Sequence, residues 1–493
     1  MRRLLVALSL VILSLLRCAS GDATPDAVDA LDVPGEGALP SDGLGDLDAG
    51  RDARDADAIA PVAMPVPVCG LASHAWLPFD GMGALVSVEP QPTYSYKKEL
   101  LKAMAGQFGY ADVLDARYDV AMYRVRYVTQ DRGVTREATA TVGLPVPEAG
   151  QAVTVMAALI LHGTCGFADP CAPSRGKDGP LAAAVFATQG QIAVAPDYLG
   201  MASTGAPSGM PHPYLVGEAT AIASWDALRA AERLLPDQAP GVTLDPRVLL
   251  FGGSQGGHAA LFVDRYAPWY APEFEVLASA ALTAPADLIG ETDAAVRTFG
   301  PPTEALSAAL MALARWYGLD DRIGEVLRDE APGHYATTLR NVMDATGGEC
   351  SLDLDDLGAH SLDDVFQPGF VEAVKAGTWA GYEDWRCLLA ENSITTTSVP
   401  RANDTPTLSV LSGADELEAI PAERAARVTM CEQGYDLTEI ECQGASHTQG
   451  MAWDVVEIFG WMADRLAGKP LTDACTHPEP TCCAGSPAEV CVP

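Results

Sequence analysis

Apolar positions along this chain follow two periods. From Val120 to Val128 (VAMYRVRYV) and from Arg136 to Pro145 (REATATVGLP) apolar and polar residues alternate, the period of a strand with one face on a core. The turn residues Asp131 to Gly133 separate them, so the pair predicts an antiparallel hairpin at the edge of a sheet. Val153 to Leu161 (VTVMAALIL) is continuously apolar, which suits a strand covered on both faces, as in a parallel sheet. Gln191 to Pro196, Val248 to Phe251, Val276 to Leu282, Thr407 to Leu411 and Leu437 to Cys442 are further short strand candidates. Helical spacing appears between them. A short helix is expected within PTYSYKKELLKAMAGQFG, before the hairpin. Glu218 to Leu235 carries Ile222, Trp225, Leu228, Ala231 and Leu235 on one side, with Asp226, Arg229 and Arg233 on the other. Val455, Phe459, Met462 and Leu466 form a last apolar stripe. Alternation of strand and helix predicts the α/β class, a mostly parallel central sheet with right-handed crossovers.

Other stretches do not fit this alternation. From residue 289 to 400 the pattern is helical, broken by Gly and Pro, with no clear strand. It reads as a helical cap inserted into a core formed by residues 68–288 and 401–468. Residues 21–67 are Ala, Asp, Gly and Pro with an Asp-Ala texture; they cannot bury enough apolar surface to offset their ordering entropy, and read as a disordered acidic linker. The spacing of their aspartates does not match a calcium-binding loop. Residues 1–20 have two arginines, an apolar run and then small residues. That is the layout of a secretory signal, too short for a membrane-spanning helix. Leu15, Leu16, Arg17 and Cys18 resemble a bacterial lipobox, from which Arg17 departs. Localisation is therefore expected to be secreted or attached to the cell envelope, with membrane attachment only through a lipidated Cys18.

The net charge of −35 over 493 residues disfavours nucleic acid and anionic membrane as partners. The 12 cysteines of an exported chain suggest disulfides. Cys165 with Cys171, Cys350 with Cys387 and Cys431 with Cys442 are the local pairs, and without Cys18 an odd number remains, leaving one thiol either free or paired between chains. The tail, residues 469–493, holds Cys475, Cys482, Cys483 and Cys491 among prolines and reads as a disulfide-pinned extension. No cysteine spacing fits zinc, HExxH is absent, and neither metal nor cofactor is expected.

The candidate chemistry lies at the strand ends. VLLFGGSQGGHAAL, from Val248 to Leu261, sets Gly252, Gly253, Ser254, Gln255 and Gly256 between an apolar strand and a small-residue helix. This is the Gly-x-Ser-x-Gly nucleophile elbow, in which a serine on a strained turn tolerates no side chain two residues before or after it. His162, Gly163, Thr164, Cys165 and Gly166 follow the Val153 to Leu161 strand, and the N–H groups of Thr164 and Gln255 are the expected oxyanion donors. His162 is read as ordering that loop. After Thr407 to Leu411 comes SGADEL, which offers Asp415 as the acid, with Glu416 in reserve. After Leu437 to Cys442 comes GASHTQ, which offers His447 as the base. His258 is expected to pack in the elbow helix. His212, His334 and His360 lie in loops or in the cap, away from any strand end. The order Ser254, Asp415, His447 is that of α/β hydrolases.

The combination of ILHGTCG, VAPDYLG, FGGSQGGHAAL, TAPADL, GADE and GASH resembles the secretory lipase family of α/β hydrolases, over roughly Tyr94 to Leu466. The resemblance implies an α/β-hydrolase fold, a helical cap between Ser254 and Asp415, and hydrolysis of carboxylic esters, acylglycerols among them. An esterase acting on soluble short-chain esters fits the small, fairly polar cap as well as a lipase does. Two other classes stay open: an exported peptidase using the same acyl-enzyme scheme on amides, and a tethered surface protein that only binds. No protein partner is evident from the chain.

Overall fold

A computed structural model describes residue 69 and residues 74–107, 110, 113–331, 333–345 and 350–491. The expected signal, lipobox and linker lie outside the described residues.

The centre is a nine-stranded sheet in the order β1-β2-β3-β5-β4-β6-β7-β8-β9. The strands are β1 (Leu85–Pro90), β2 (Asp119–Asp131), β3 (Val134–Val146), β4 (Val153–Leu161), β5 (Ile192–Pro196), β6 (Val242–Gly253), β7 (Glu275–Leu282), β8 (Thr407–Ser412) and β9 (Leu437–Cys442). β1, β2 and β3 pair antiparallel and β3 meets β5 antiparallel, while every pairing from β5 through β4 to β9 is parallel. The expected hairpin is β2 and β3, with strands longer than the alternation marks; β1, which sequence reading missed, adds on outside it and forms the true edge.

The continuous apolar run of β4 has a direct cause. Successive side chains point to opposite faces of a strand. Ala157, Leu159 and Leu161 pack with the helices Gly217–Gln238 and Gln255–Tyr270 on one face. Ala158 and Ile160 pack with Ala183, Phe186 and Ile458 on the other. In β6, Val248 and Leu250 go to the first face, Leu249 and Phe251 to the second. A strand buried on both sides has no place for a polar alternate.

Between β7 and β8 the chain is helical: Leu288–Ala295, Pro301–Tyr317, Tyr335–Met343, Leu362–Val365, Pro368–Lys375 and Glu383–Glu391. The disulfide Cys171–Cys350 ties this segment to the chain after β4, and Cys69–Cys387 ties it to the N-terminal part of the globule. Further pairs among the described residues are Cys431–Cys475, Cys442–Cys483 and Cys482–Cys491. The local pairings expected from sequence are therefore replaced by bonds between distant segments, because strand and helix packing, not spacing, decides which thiols meet. No free cysteine occurs among the described residues. The tail lies along β9: Thr481 N–H donates to Glu441 O at 2.9 Å, and Gln443 N–H donates to Thr481 O at 2.8 Å. It covers a strand edge that would otherwise present open backbone groups.

A second correction concerns the helix Gly217–Gln238. Of the polar side expected from sequence only Arg233 is exposed, while Asp226 and Arg229 are both buried. The Asp226 carboxylate accepts from Thr129 Oγ1 (2.7 Å), Tyr270 OH (2.9 Å) and Arg229 Nη1 (2.7 Å), and Arg229 Nη2 donates to Tyr270 O at 2.7 Å. Burial raises the Asp226 carboxyl to about 6, against the opposing pull of Arg229. This network joins β2 to two helices. Asp226→Ala leaves the buried Arg229 with only the part-exposed Glu273 as carboxylate partner and is expected to cost about 3 kcal/mol, read as a lower midpoint in urea unfolding of the disulfide-intact protein.

Candidate active site

Ser254 stands at φ 56° and ψ −123° between β6 and the helix Gln255–Tyr270. Positive φ is unfavourable for a residue with a side chain, so the turn must be held from both sides. Ser254 N–H donates to Leu282 O at 2.8 Å, and its carbonyl accepts from His258 N–H at 3.0 Å. The flanking glycines are required by contact. A Cβ on Gly256 would overlap the carbonyl oxygen of Leu161, and one on Gly252 would overlap the carbonyl oxygen of Gly256. A Cβ on Gly257 would come to 2.8 Å from both Ala284 Cβ and Leu282 O.

Asp415 follows β8 and His447 follows β9, as expected from the strand ends. His447 Nδ1 lies 2.8 Å from Asp415 Oδ2 and 3.1 Å from Oδ1. Oδ1 also accepts from the N–H groups of Leu417 (2.8 Å) and Glu418 (2.9 Å), which fix the carboxylate. Glu416 takes a different part: its Oε2 accepts from the backbone N–H of His447 at 2.9 Å. Asp415 is thus the carboxylate on the imidazole ring. The loop carrying His447 is set by a capping box in which Ser446 N–H donates to Gln449 Oε1 at 3.0 Å. His447 Nε2 is buried with no hydrogen-bond partner among the described residues, and the ring lines a cavity of about 340 Å³ together with Ser254 and Thr164. No hydrogen bond joins Ser254 to His447 in this arrangement; such contacts commonly tighten only when substrate is bound.

Thr164 Oγ1 is 3.1 Å from Tyr214 OH, and both residues line the large cavity. Gln255 is the first residue of its helix, where backbone N–H groups have no intrahelical partner. Its side chain meets His212, Nε2 to Nε2, at 2.8 Å, while His212 Nδ1 is 2.7 Å from Leu199 O. Burial lowers the His212 pKa to about 4, so a neutral ring holds Gln255. Sequence reading set His212 aside; no local pattern marks it, because its contact comes from chain that returns over the elbow. His162 orders its own loop through Nδ1, 2.7 Å from Gly163 O, and stacks on Tyr198 with centroids 4.0 Å apart. His258 packs in the elbow helix, with Nε2 2.8 Å from Asn392 O. His334 and His360 lie in the helical segment between β7 and β8, away from Ser254.

A second, narrower cavity of about 50 Å³ also opens from Ser254, lined by Gln255, Leu288, Leu306, Leu389, Glu291 and Glu418 among others. The acidic residues around it were not singled out in the sequence. Cys431, Glu439 and His477 gather elsewhere with ligand atoms within 4.8 Å of one another. Cys431 is bonded to Cys475 and has no thiolate to offer a metal.

Fold and site define an α/β hydrolase. The secretory lipase family model matches residues 181–474, and the chain belongs to that family; it is a carboxylic ester hydrolase. No curated protein matches it in sequence. Among solved structures it is similar to the rice cell wall degrading esterase LipA from Xanthomonas oryzae in a ligand-bound form, at 22% identity and TM-score 0.62, covering 79% of this chain and 100% of that one. It is also similar to Candida antarctica lipase A in its closed state, at 17% identity and TM-score 0.58, covering 87% and 90%.

Beside Asp415, Glu291 accepts from Ala419 N–H with both oxygens at 3.0 Å. Burial raises its carboxyl to about 7, with smaller contributions from Asp415 and Asp287. A folded-state pKa above the ordinary 4.5 means that this proton stabilises the native state below that value and that the benefit is lost as pH rises towards 7. Glu291→Gln removes the titration. The difference in stability between wild type and this variant is expected to shift in favour of the variant from pH 4.5 to about 7, checked by thermal unfolding across that range.

Proposed function

We propose that Ser254 is the nucleophile of an esterase working through an acyl-enzyme, with His447 as general base and Asp415 holding the imidazole. The observation that carries this reading is the pairing of Asp415 with His447 Nδ1, which leaves a buried, unpartnered Nε2 on the cavity that Ser254 lines. Ser254 Oγ attacks the ester carbonyl while Nε2 takes its proton; the oxyanion is received by the N–H groups of Thr164 and Gln255. Collapse of this intermediate expels the alcohol, which takes the proton back from His447. Water then attacks the acyl-serine through the same base, releasing the acid and restoring Ser254. Each oxyanion donor is worth about 3 kcal/mol in the transition state.

The helical segment of residues 289–400 acts as a cap over this site. The family and the disulfides between distant segments support export, and residues 1–20 are proposed as the leader. The cavity beside Gln255, about 50 Å³ against about 340 Å³ for the one that His447 lines, favours short acyl chains over the long chains of lipid aggregates.

Ser254→Ala is expected to lower kcat on p-nitrophenyl butyrate on the order of a million-fold, and Asp415→Asn about ten-thousand-fold, with unchanged unfolding midpoints. A fluorophosphonate should label wild type and not Ser254→Ala. Turnover of aminoacyl-arylamides with silent esters would instead assign a peptidase, and full activity in Ser254→Ala would remove the serine from the mechanism.

A further inference from the structure

The two cavities that meet at Ser254 differ in what lies beside them. His447 lines the larger and not the smaller. An alcohol leaves towards the group that protonates it, so the larger cavity is the alcohol side and the narrow one, floored by Gln255, is the acyl side. The acyl side is walled by Leu215, Leu288, Leu306, Leu389 and Leu417, an apolar lining broken by two carboxyl groups, Glu291 and Glu418.

These carboxyls are not equivalent. Glu291 is occupied by the N–H of Ala419. Glu418 is held in place through its own N–H, which donates to Asp415 Oδ1 at 2.9 Å. Its side chain is 7% exposed, and Oε2 is fully buried with no hydrogen-bond partner among the described residues. Buried polar atoms in native proteins are satisfied with few exceptions, and an exception beside a ligand cavity is open to a partner that arrives with the ligand. Burial, with Asp415, Glu423 and Glu291 nearby, pushes the Glu418 carboxyl well up. That direction favours the neutral form of the carboxyl, which can both donate and accept.

We propose that Glu418 is a specificity-determining residue that receives a hydroxyl group on the acyl chain, so that the preferred substrates are esters of short hydroxy acids. The proposal rests on the reading of Ser254 as nucleophile. A butyryl chain carrying one hydroxyl is a short acyl group of the kind this narrow cavity favours. A site built to bond a hydroxyl discriminates against the analogue that lacks it, because its own polar group is then left unpaired.

The test compares kcat/KM of the full chain on the ethyl esters of butyric, α-hydroxybutyric, β-hydroxybutyric and β-aminobutyric acids. Wild type is expected to favour at least one hydroxy ester over ethyl butyrate by about 10-fold. Glu418→Gln, which keeps a donor and an acceptor, should retain the preference; Glu418→Leu should lose it and gain on ethyl butyrate. Equal ratios in wild type and Glu418→Leu, a wild-type preference for ethyl butyrate, or a preference for the amino ester would each overturn the proposal. If Glu418→Leu does not fold, the wild-type and Glu418→Gln ratios decide alone. Ser254→Ala serves as the blank: ester turnover persisting there strikes the nucleophile assignment, an outcome separate from any change in the ratio between esters.

Discussion

The close approach of backbone to backbone around Ser254 is the constraint on which the rest of this site depends. The serine can hold φ 56° only because Gly252 and Gly256 let the first turn of its helix lie against the carbonyl oxygens of β4 and of the elbow itself. That contact in turn demands that β4 and β6 be neighbours in register, Leu161 opposite Gly252. The register is set by the alternation of β4 and β6 side chains between two buried faces. A slip of one residue would send each of those side chains to the other face and carry Leu161 away from the turn. Core packing and the geometry at Ser254 are thus one constraint.

The other members of the site hang from the same sheet by shorter ties. Asp415 and His447 stand at the ends of adjacent parallel strands, β8 and β9, and are brought to each other by loops that backbone hydrogen bonds hold in place. Asp415 is locked by Leu417 and Glu418, His447 by Glu416 and by the capping box at Ser446. Glu416 and Asp415 are neighbours in sequence, yet one positions the backbone of the histidine and the other its ring. The division follows from which way successive side chains point in a tight turn.

Much of this was legible in the chain. Strand ends followed by small residues and a Ser, Asp or His are local patterns, and the elbow, the HGT loop, Asp415 and His447 all have that form. The continuous run in β4 correctly implied burial on both faces. What sequence did not yield depends on contacts between remote segments. β1 is only six residues long and mixes exposed and half-buried positions, so it carries no clean period. Asp226 and Arg229 look like the solvent side of an amphipathic helix; only the packing of Tyr270 and Thr129 against them makes that side an interior. His212 and Glu418 lie in loops without motif, and gain meaning from Gln255 and from the cavity. The disulfides were misjudged because nearness in sequence is a poor guide to nearness in a folded sheet protein.

Those disulfides have a consequence for how the protein is made. Cys69 is separated by 318 residues from Cys387, and Cys171 by 179 from Cys350. A chain delivered N-terminus first into an oxidising space presents the earlier thiol of each pair long before its mate exists outside. Each early thiol must stay reduced, or form a temporary bond that is later exchanged. The helical segment that carries both late partners, Cys350 and Cys387, therefore completes both cross-links late. Folding of this chain in an oxidising space therefore calls for exchange of early disulfides, and a space that oxidises quickly but reshuffles poorly is expected to join the wrong partners.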